Sequence, residues 1–243
     1  MEDYTKSVLI EGAAESPYGP LHFVAEEGYL IYCGFSPPYA PGARLPRALS
    51  RRLYRKTESR DGTPRTAEIT FHRGNSSRAD GIAFLITSYL TGSLASAFGG
   101  AGTEIGEGSI GKSPSPSRPQ PPPLRFYGTD FQKEVWSALL EIPSGSLRSY
   151  GEIAAAVGRP KATRAVGSAI GMNPLAPIVP CHRVVPAAGN TFSPTVDPSY
   201  SGGSSSTVDS PRISTVGNYG SGREQKRFML SIEGIKIKDN SPK

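Results

Sequence analysis

Cysteine, histidine, methionine and tryptophan are scarce in this 243-residue chain, at 2, 3, 3 and 1 residues. The two cysteines, Cys33 and Cys181, lie in unlike surroundings, which excludes a disulfide scaffold and an all-cysteine metal cluster. His22 and His72 have no ligand spacing to Cys181, so no metal and no cofactor is expected. No apolar run approaches the roughly 20 residues that span a bilayer, and the acidic opening MEDYTKSVLIEG lacks a signal-peptide core. A soluble protein of a reducing compartment is the expectation, with no membrane partner. What is present, 37 % hydrophobic and 20 % charged residues with 28 glycines and 23 prolines, suits folded elements joined by some irregular sequence.

Charge is uneven. Residues 1–123 carry 13 basic and 12 acidic side chains, whereas residues 124–243 carry 14 and 9, so most of the net +6 sits in the second half. That leans toward a polyanionic partner there, although a basic surface alone does not establish one.

The opening segment reads as strands: Leu21 to Ala25, the acidic turn Glu26-Glu27-Gly28, then Tyr29 to Phe35, a hairpin in an antiparallel sheet. From Arg44 to Lys56, six basic residues alternate with Leu45, Leu49, Leu53 and Tyr54 at helical spacing. A solvated amphipathic helix, a nuclear-import patch and an auxiliary nucleic-acid contact all fit it. Glu68 to Phe71 is a short strand candidate. Gly81 to Leu94 reads as a helix burying Ile82, Leu85, Ile86, Tyr89 and Leu90. Residues 99–123 turn to Gly, Ser and Pro and read as a linker between a domain at 1–98 and one at 124–243.

In the second domain, Thr129 or Asp130 caps a helix whose stripe is Phe131, Val135, Trp136, Leu139 and Leu140. Ser149 and Glu152 form a capping box opening a helix to Val157, and Gly158-Arg159-Pro160 breaks it. A third helix, about 162–170, completes a helix-turn-helix pattern. Its Ala162, Ala165, Gly167, Ser168 and Ala169 are small and Arg164 is long. Such a helix is either tightly packed inside or pressed into a narrow groove with Arg164 projecting. Residues 190–215, rich in Ser, Thr, Pro and Gly, read as a flexible insertion. Arg223 to Ile232 reads as a last helix burying Phe228, Met229 and Ile232.

The segment Pro177-Ile178-Val179-Pro180-Cys181-His182-Arg183-Val184-Val185 is the most telling. It reads as an apolar strand leading into a cysteine between prolines. A free cysteine is often a small core hydrophobe. A nucleophilic thiolate instead needs a base and a group fixing that base's tautomer, which Cys181, His182 and Glu233 would supply together.

Pro180-Cys181-His182-Arg183-Val184-Val185, with Gly128-Thr129-Asp130-Phe131-Gln132, Arg164-Ala165-Val166-Gly167, Asn173-Pro174 and Tyr219-Gly220-Ser221-Gly222 before Lys226, closely resembles the methylated-DNA–protein-cysteine methyltransferase family. The resemblance covers about residues 124–243 apart from the insertion, and more loosely 19–98. It implies an α+β fold: an N-terminal ribonuclease-H-like α/β domain with a small antiparallel sheet, then a mainly helical winged-helix-like domain containing a helix-turn-helix. It implies that Cys181 accepts an alkyl group from O6 of guanine, that His182 acts as its base through a water, and that Glu233 orients His182. Asn173 would brace the turn holding Cys181, and Tyr150 would face the flipped base. Arg164 would fill the vacated stack, with Ala162, Thr163, Ala165 and Ser168 also against minor-groove DNA. The carbonyls of Cys181 and Val184 would read the guanine amino group, and Tyr219, Gly220 and Lys226 would close the pocket.

A base inside a duplex hides its O6, so such chemistry requires flipping. Sulfur attack on an alkyl carbon leaves a thioether with no easy leaving group, so one chain should repair one lesion. The implied partner is double-stranded DNA containing O6-alkylguanine, the setting the nucleus, and the chain a monomer. Departures are the insertion, glycine at position 220 where relatives often have serine, and no convincing zinc-ligand set in the first half. A non-repairing binder of alkylated DNA that recruits other factors, and a cysteine hydrolase, are the competing readings.

Overall fold

The computed structural model describes residues 9–53, 56–58, 64–66, 71–73, 77–97, 120–187 and 212–238. The expected linker up to residue 119, residues 190–211 of the expected insertion, and the strand candidate at 68–70 lie outside them.

The first half is built on a four-stranded sheet in the order β3-β2-β1-β6. Strands β1 (Leu9–Ala14), β2 (Leu21–Glu26) and β3 (Tyr29–Gly34) are antiparallel neighbours. Glu27 and Gly28 both take positive φ in the two-residue β2–β3 turn, the conformation whose twist matches the flanking strands. Helix α1 (Arg47–Leu53) and the ladder of β4 (Lys56–Glu58) with β5 (Pro64–Thr66) follow. Strand β6 (Phe71–Arg73) then joins the sheet parallel to β1, so the sheet is mixed rather than wholly antiparallel.

Helix α1 buries Leu49 and Leu53 while Arg44, Arg47 and Arg51 stay in solvent. Arg52 turns inward to the buried Glu26, which also accepts from Tyr127 and from Arg125 at 3.4 Å. Burial alone would raise the Glu26 pKa, but Arg52 and Tyr127 hold it down. Helix α2 (Ser77–Ala97) begins earlier and runs longer than its pattern suggests. Its Ile86, Tyr89, Leu90 and Leu94 are buried, whereas Leu85, expected inside, is 46 % exposed.

The second half is helical. Thr129 caps α3 (Asp130–Leu140) in a capping box with Gln132, and Val135, Trp136 and Leu139 are buried. Gly128 is required there, because a Cβ would lie 2.6 Å from the Trp136 ring. Strand β7 (Arg148–Ser149) leads into α4 (Tyr150–Ala156), opened by the Ser149–Glu152 capping box. Gly158, at φ +71°, ends the turn after α4, and α5 (Thr163–Ile170) completes the helix-turn-helix. Trp136 Nε1 donates to the Ala169 carbonyl at 2.9 Å, which ties α3 to α5.

A 3₁₀ turn over Cys181–Arg183 precedes β8 (Val184–Val185), which pairs in parallel with β7. Helix α6 (Arg223–Ile232) and β10 (Lys236–Ile237) end the described chain.

At the C-terminal end of this half, residues 212–213 and Phe228 depart from expectation. Residues 212–213, assigned to the flexible insertion, form β9 (Arg212–Ile213) beside β10, with Ile213 fully buried. Phe228, expected in the core, is 48 % exposed, because α6 turns Lys226, Met229 and Leu230 inward instead. The architecture is thus a sheet-based first half followed by a helical region carrying the helix-turn-helix.

Candidate functional site

The segment before the cysteine is not the expected strand. Residues 176–179 are turn and bend, and Val179 N–H donates back to the Leu175 carbonyl at 2.8 Å. The prolines at 177 and 180 lack the N–H groups that a ladder would use. Cys181, His182 and Arg183 therefore share one turn of about three residues per revolution, so Cys181 and His182 point about 120° apart. All three are buried, Cys181 at 6 % and His182 at 0 % exposure.

Asn173 organises this turn. Its Nδ2 donates to the Val179 carbonyl at 2.9 Å and to Cys181 Sγ at 3.1 Å, and its Oδ1 accepts from Leu175 N–H at 3.0 Å. Burial pushes the Cys181 thiol above its usual value, while Asn173, Lys226 and Tyr219 pull it down. At rest the sulfur is a protonated thiol with donors around it that favour the thiolate once the proton leaves.

His182 Nε2 lies 2.8 Å from Glu233 Oε1, with Glu233 at the C-terminal cap of α6. Burial alone would raise the Glu233 pKa, but His182 and Arg183 hold it well below the carboxylate range. An ionised carboxylate only accepts, so the His182 proton sits on Nε2 and Nδ1 is left as the acceptor. Nδ1 is buried and has no hydrogen-bond partner among the described residues. Burial keeps the His182 pKa low against the pull of Glu233, so the imidazole is neutral and able to take a proton.

Arg183, a residue of the Cys181 motif with no role expected of it, supports the His182–Glu233 pair. Its Nε and Nη2 reach Glu233 at 2.9–3.2 Å, and Nη1 donates to the Ile142 carbonyl at 2.6 Å. Gly145 N–H and Tyr18 Oη also donate to Glu233, at 3.3 and 2.7 Å. Tyr18 comes from the first half of the chain, and no local pattern in the sequence marks its contact.

Lys226 is fully buried on α6 and donates to the Val184 carbonyl at 2.6 Å. Burial lowers its pKa to about 8. The Val184 carbonyl expected to read a base thus already holds one donor, and the Cys181 carbonyl accepts Val184 N–H. Each carbonyl keeps a second lone pair. The Tyr219 hydroxyl is buried, and among the described residues the group it acts on is the Cys181 thiol. Burial and Cys181 raise its pKa well above normal, so it remains a donor. Gly220 is exposed in the turn before α6.

Pairing of β7 with β8 sets Tyr150, first residue of α4, beside this turn. Its ring backs onto Gly167 of α5, and its hydroxyl lies near Gly217. Burial, then Cys181, raises the Tyr150 pKa. On α5, Thr163, Arg164, Ala165 and Ser168 are exposed and Ala162 half-buried, so the low-profile face is open. Ala169, assigned to that face, is instead buried against α3. Among the described residues no cluster of His, Cys, Asp or Glu could hold a metal ion, and no helix is long and apolar enough to cross a membrane.

Comparison with known proteins converges on one family. Residues 130–200 match the 6-O-methylguanine DNA methyltransferase, DNA binding domain. A methylated-DNA–protein-cysteine methyltransferase of Methanosarcina acetivorans is 45 % identical over 107 residues, 44 % of this chain and 53 % of that protein. Its counterpart from Mycobacterium tuberculosis is 45 % identical over 110 residues, 45 % of this chain and 52 % of the relative. The chain thus spans about half the length of the curated relatives it matches. In three dimensions it resembles the crystal structure of Mycobacterium tuberculosis O6-methylguanine methyltransferase, with 28 % identity, 93 % of each chain covered and a TM-score of 0.52. A structure of the Mycobacterium tuberculosis protein in complex with DNA gives 28 % identity, 92 % coverage of each chain and the same TM-score. Sequence and structural neighbours thus agree that the chain is similar to the methylated-DNA–protein-cysteine methyltransferase family.

Proposed function

We propose that the chain repairs DNA by transferring the alkyl group of O6-alkylguanine to Cys181, once per molecule. The observation that carries this is a buried thiol held by Asn173, next to a neutral His182 whose Nδ1 has no partner among the described residues and whose Nε2 is bound to Glu233. The Cys181 proton passes to His182 Nδ1 through one bridging water. The thiolate then attacks the alkyl carbon; the S–C bond forms, the C–O6 bond breaks, and its electron pair goes to guanine O6. Tyr219 Oη, a buried donor beside the thiol, and the Gly220 N–H are suited to stabilise that developing oxyanion. The product thioether is stable, which ends the reaction after one turnover.

The open face of α5 supports the DNA side of this reading. Small residues Ala162, Thr163, Ala165 and Ser168 let the backbone approach a minor groove, and exposed Arg164 is free to enter the stack in place of the flipped base. Incubation with duplex carrying labelled O6-methylguanine should move at most one label per chain onto Cys181. Repeated turnover, or equal transfer by Cys181→Ala, would overturn the proposal. Duplex binding without transfer would favour a recruiting binder instead.

A further inference from the structure

Tyr18 lies in the turn between β1 and β2 and is 2 % exposed. Ser16 shapes that turn, accepting from Tyr18 N–H at 3.2 Å and donating to the Gly19 carbonyl at 2.6 Å. Helix α6 grips Tyr18 at both ends. Gln225 Nε2 donates to its carbonyl at 3.0 Å, and its hydroxyl donates to Glu233 Oε1 at 2.7 Å. The same oxygen accepts His182 Nε2 at 2.8 Å and Arg183 Nη2 at 2.9 Å. The Tyr18 ring covers the imidazole, with centroids 5.7 Å apart and planes tilted by 59°.

We propose that Tyr18 is a positioning residue for the transfer step: by donating to Glu233 Oε1 and covering the imidazole, it fixes the orientation of His182 and limits how strongly Glu233 draws its proton. The inference rests on the reading of Cys181 as the acceptor. Donors that share one carboxylate oxygen compete for its charge, so loss of one strengthens the others. The charged and titratable groups acting on His182 are Glu233 and Lys226 from α6, Arg183 from its own turn, and the Cys181 thiol beside it; Tyr18 acts through the oxygen it shares, and Tyr89 of α2 through Arg183. The Tyr18 phenol stays protonated because burial, then Glu233, raises its pKa. It therefore donates throughout the working range.

Removing the hydroxyl should make His182 more basic. Two consequences follow for a thiol that passes its proton to that imidazole. The acid limb of its reactivity moves to higher pH, and the neutral plateau rises because more of the thiolate–imidazolium form is present.

The full chain is alkylated with iodoacetamide from pH 5 to 9 and the rate at Cys181 is followed by peptide mass. There the S–C bond forms, the C–I bond breaks, iodide leaves, and the proton passes through His182 to solvent. In Tyr18→Phe, which keeps the ring, the acid-limb midpoint should rise by about half a pH unit and the plateau by about threefold. Site-specific 3-fluorotyrosine at position 18, nearly isosteric and a stronger donor, should shift both in the opposite direction; it carries the test if Tyr18→Phe fails to fold. In a Glu233→Gln background, Tyr18→Phe should change nothing further. An unmoved or oppositely shifted profile overturns the inference. Shifted iodoacetamide profiles with no transfer from alkylated duplex would leave Tyr18 assigned and sink the proposed function.

Discussion

Glu233→Gln is the sharpest perturbation of the site, because every partner of that carboxylate is a donor. Oε1 takes Tyr18 Oη, His182 Nε2 and Arg183, and Oε2 takes Arg183 Nε and Gly145 N–H. A glutamine offers one oxygen and one NH2, so its NH2 must face Arg183 and at least one other donor whichever way it turns. Arg183, 4 % exposed, is left without its countercharge. Breaking a buried pair in this way costs about 3–5 kcal/mol, a large share of a stability of about 5–15 kcal/mol. For a chain of this size that lowers Tm by roughly 6–20 °C. The pH dependence carries a definite sign. The folded Glu233 pKa is depressed, so its contribution is complete above the unfolded carboxylate value of about 4.3 and is lost as pH falls below it. Urea unfolding should therefore show a gap between wild type and variant that is widest at pH 7 and narrows toward pH 3. Alkyl transfer should fall by roughly 10²–10⁴-fold, because His182 loses the partner that fixes its tautomer. A gap under about 1 kcal/mol at pH 7, or one that stays constant into acid, would refute the reasoning.

Lys226 has a folded pKa of about 8, below its unfolded value of about 10.4. Over that interval the unfolded chain binds more protons, so wild-type stability should rise with pH by about 3 kcal/mol from this group. Lys226→Met should lack the rise, and parallel urea series from pH 7 to 10.5 that climb equally would contradict it. Arg164 is exposed on α5, so Arg164→Ala should change stability by no more than about 0.5 kcal/mol. It should slow transfer from duplex far more than from free alkylguanine; equal slowing would show that Arg164 does not support base flipping. Ile213→Ala should cost about 2–5 kcal/mol as a buried large-to-small change, and a thermal melt unchanged from wild type would return residues 212–213 to a loop.

Local rules made much of the helical half legible. Both capping boxes depend on residues three apart, and the Trp136 stripe depends on helical period, so neither needs knowledge of the remaining chain. The stretch before Cys181 misleads for an equally local reason: Ile178 and Val179 favour strands, but the prolines around them remove the donors that a strand needs. Faces fixed by distant packing were harder to read. Leu85 and Phe228 are exposed although their periodicity is apolar, and Lys226 is buried although its type is not. Ile213 earns its place only through pairing with β10, more than twenty residues on. Asn173, Tyr150, Tyr219 and Lys226 carried no chemistry by spacing alone; resemblance to the family singled them out, and the structure brings all four around the Cys181 turn. Tyr18 and Arg183 became visible as Glu233 partners only in three dimensions.

The geometry also explains why the matched segment is not the whole site. Residues 130–200 contain Cys181, His182 and Asn173, but Glu233, Lys226 and Tyr219 follow it in sequence, and other supports precede it. Strand β3 donates from Cys33 N–H to the Pro174 carbonyl at 2.8 Å, holding the residue next to the asparagine that braces the sulfur. Leu30 of the same strand bonds on both sides, to the Pro123 carbonyl at 2.8 Å and from Arg125 N–H at 3.0 Å, which lines the second half against the sheet. Tyr18 reaches Glu233 from the next turn. The sheet that contributes no reacting atom thus sets the position of two groups that control the thiol, Asn173 and Glu233. Reactivity at Cys181 should consequently respond to changes at β3 and the β1–β2 turn, with the exposed face of α5 untouched.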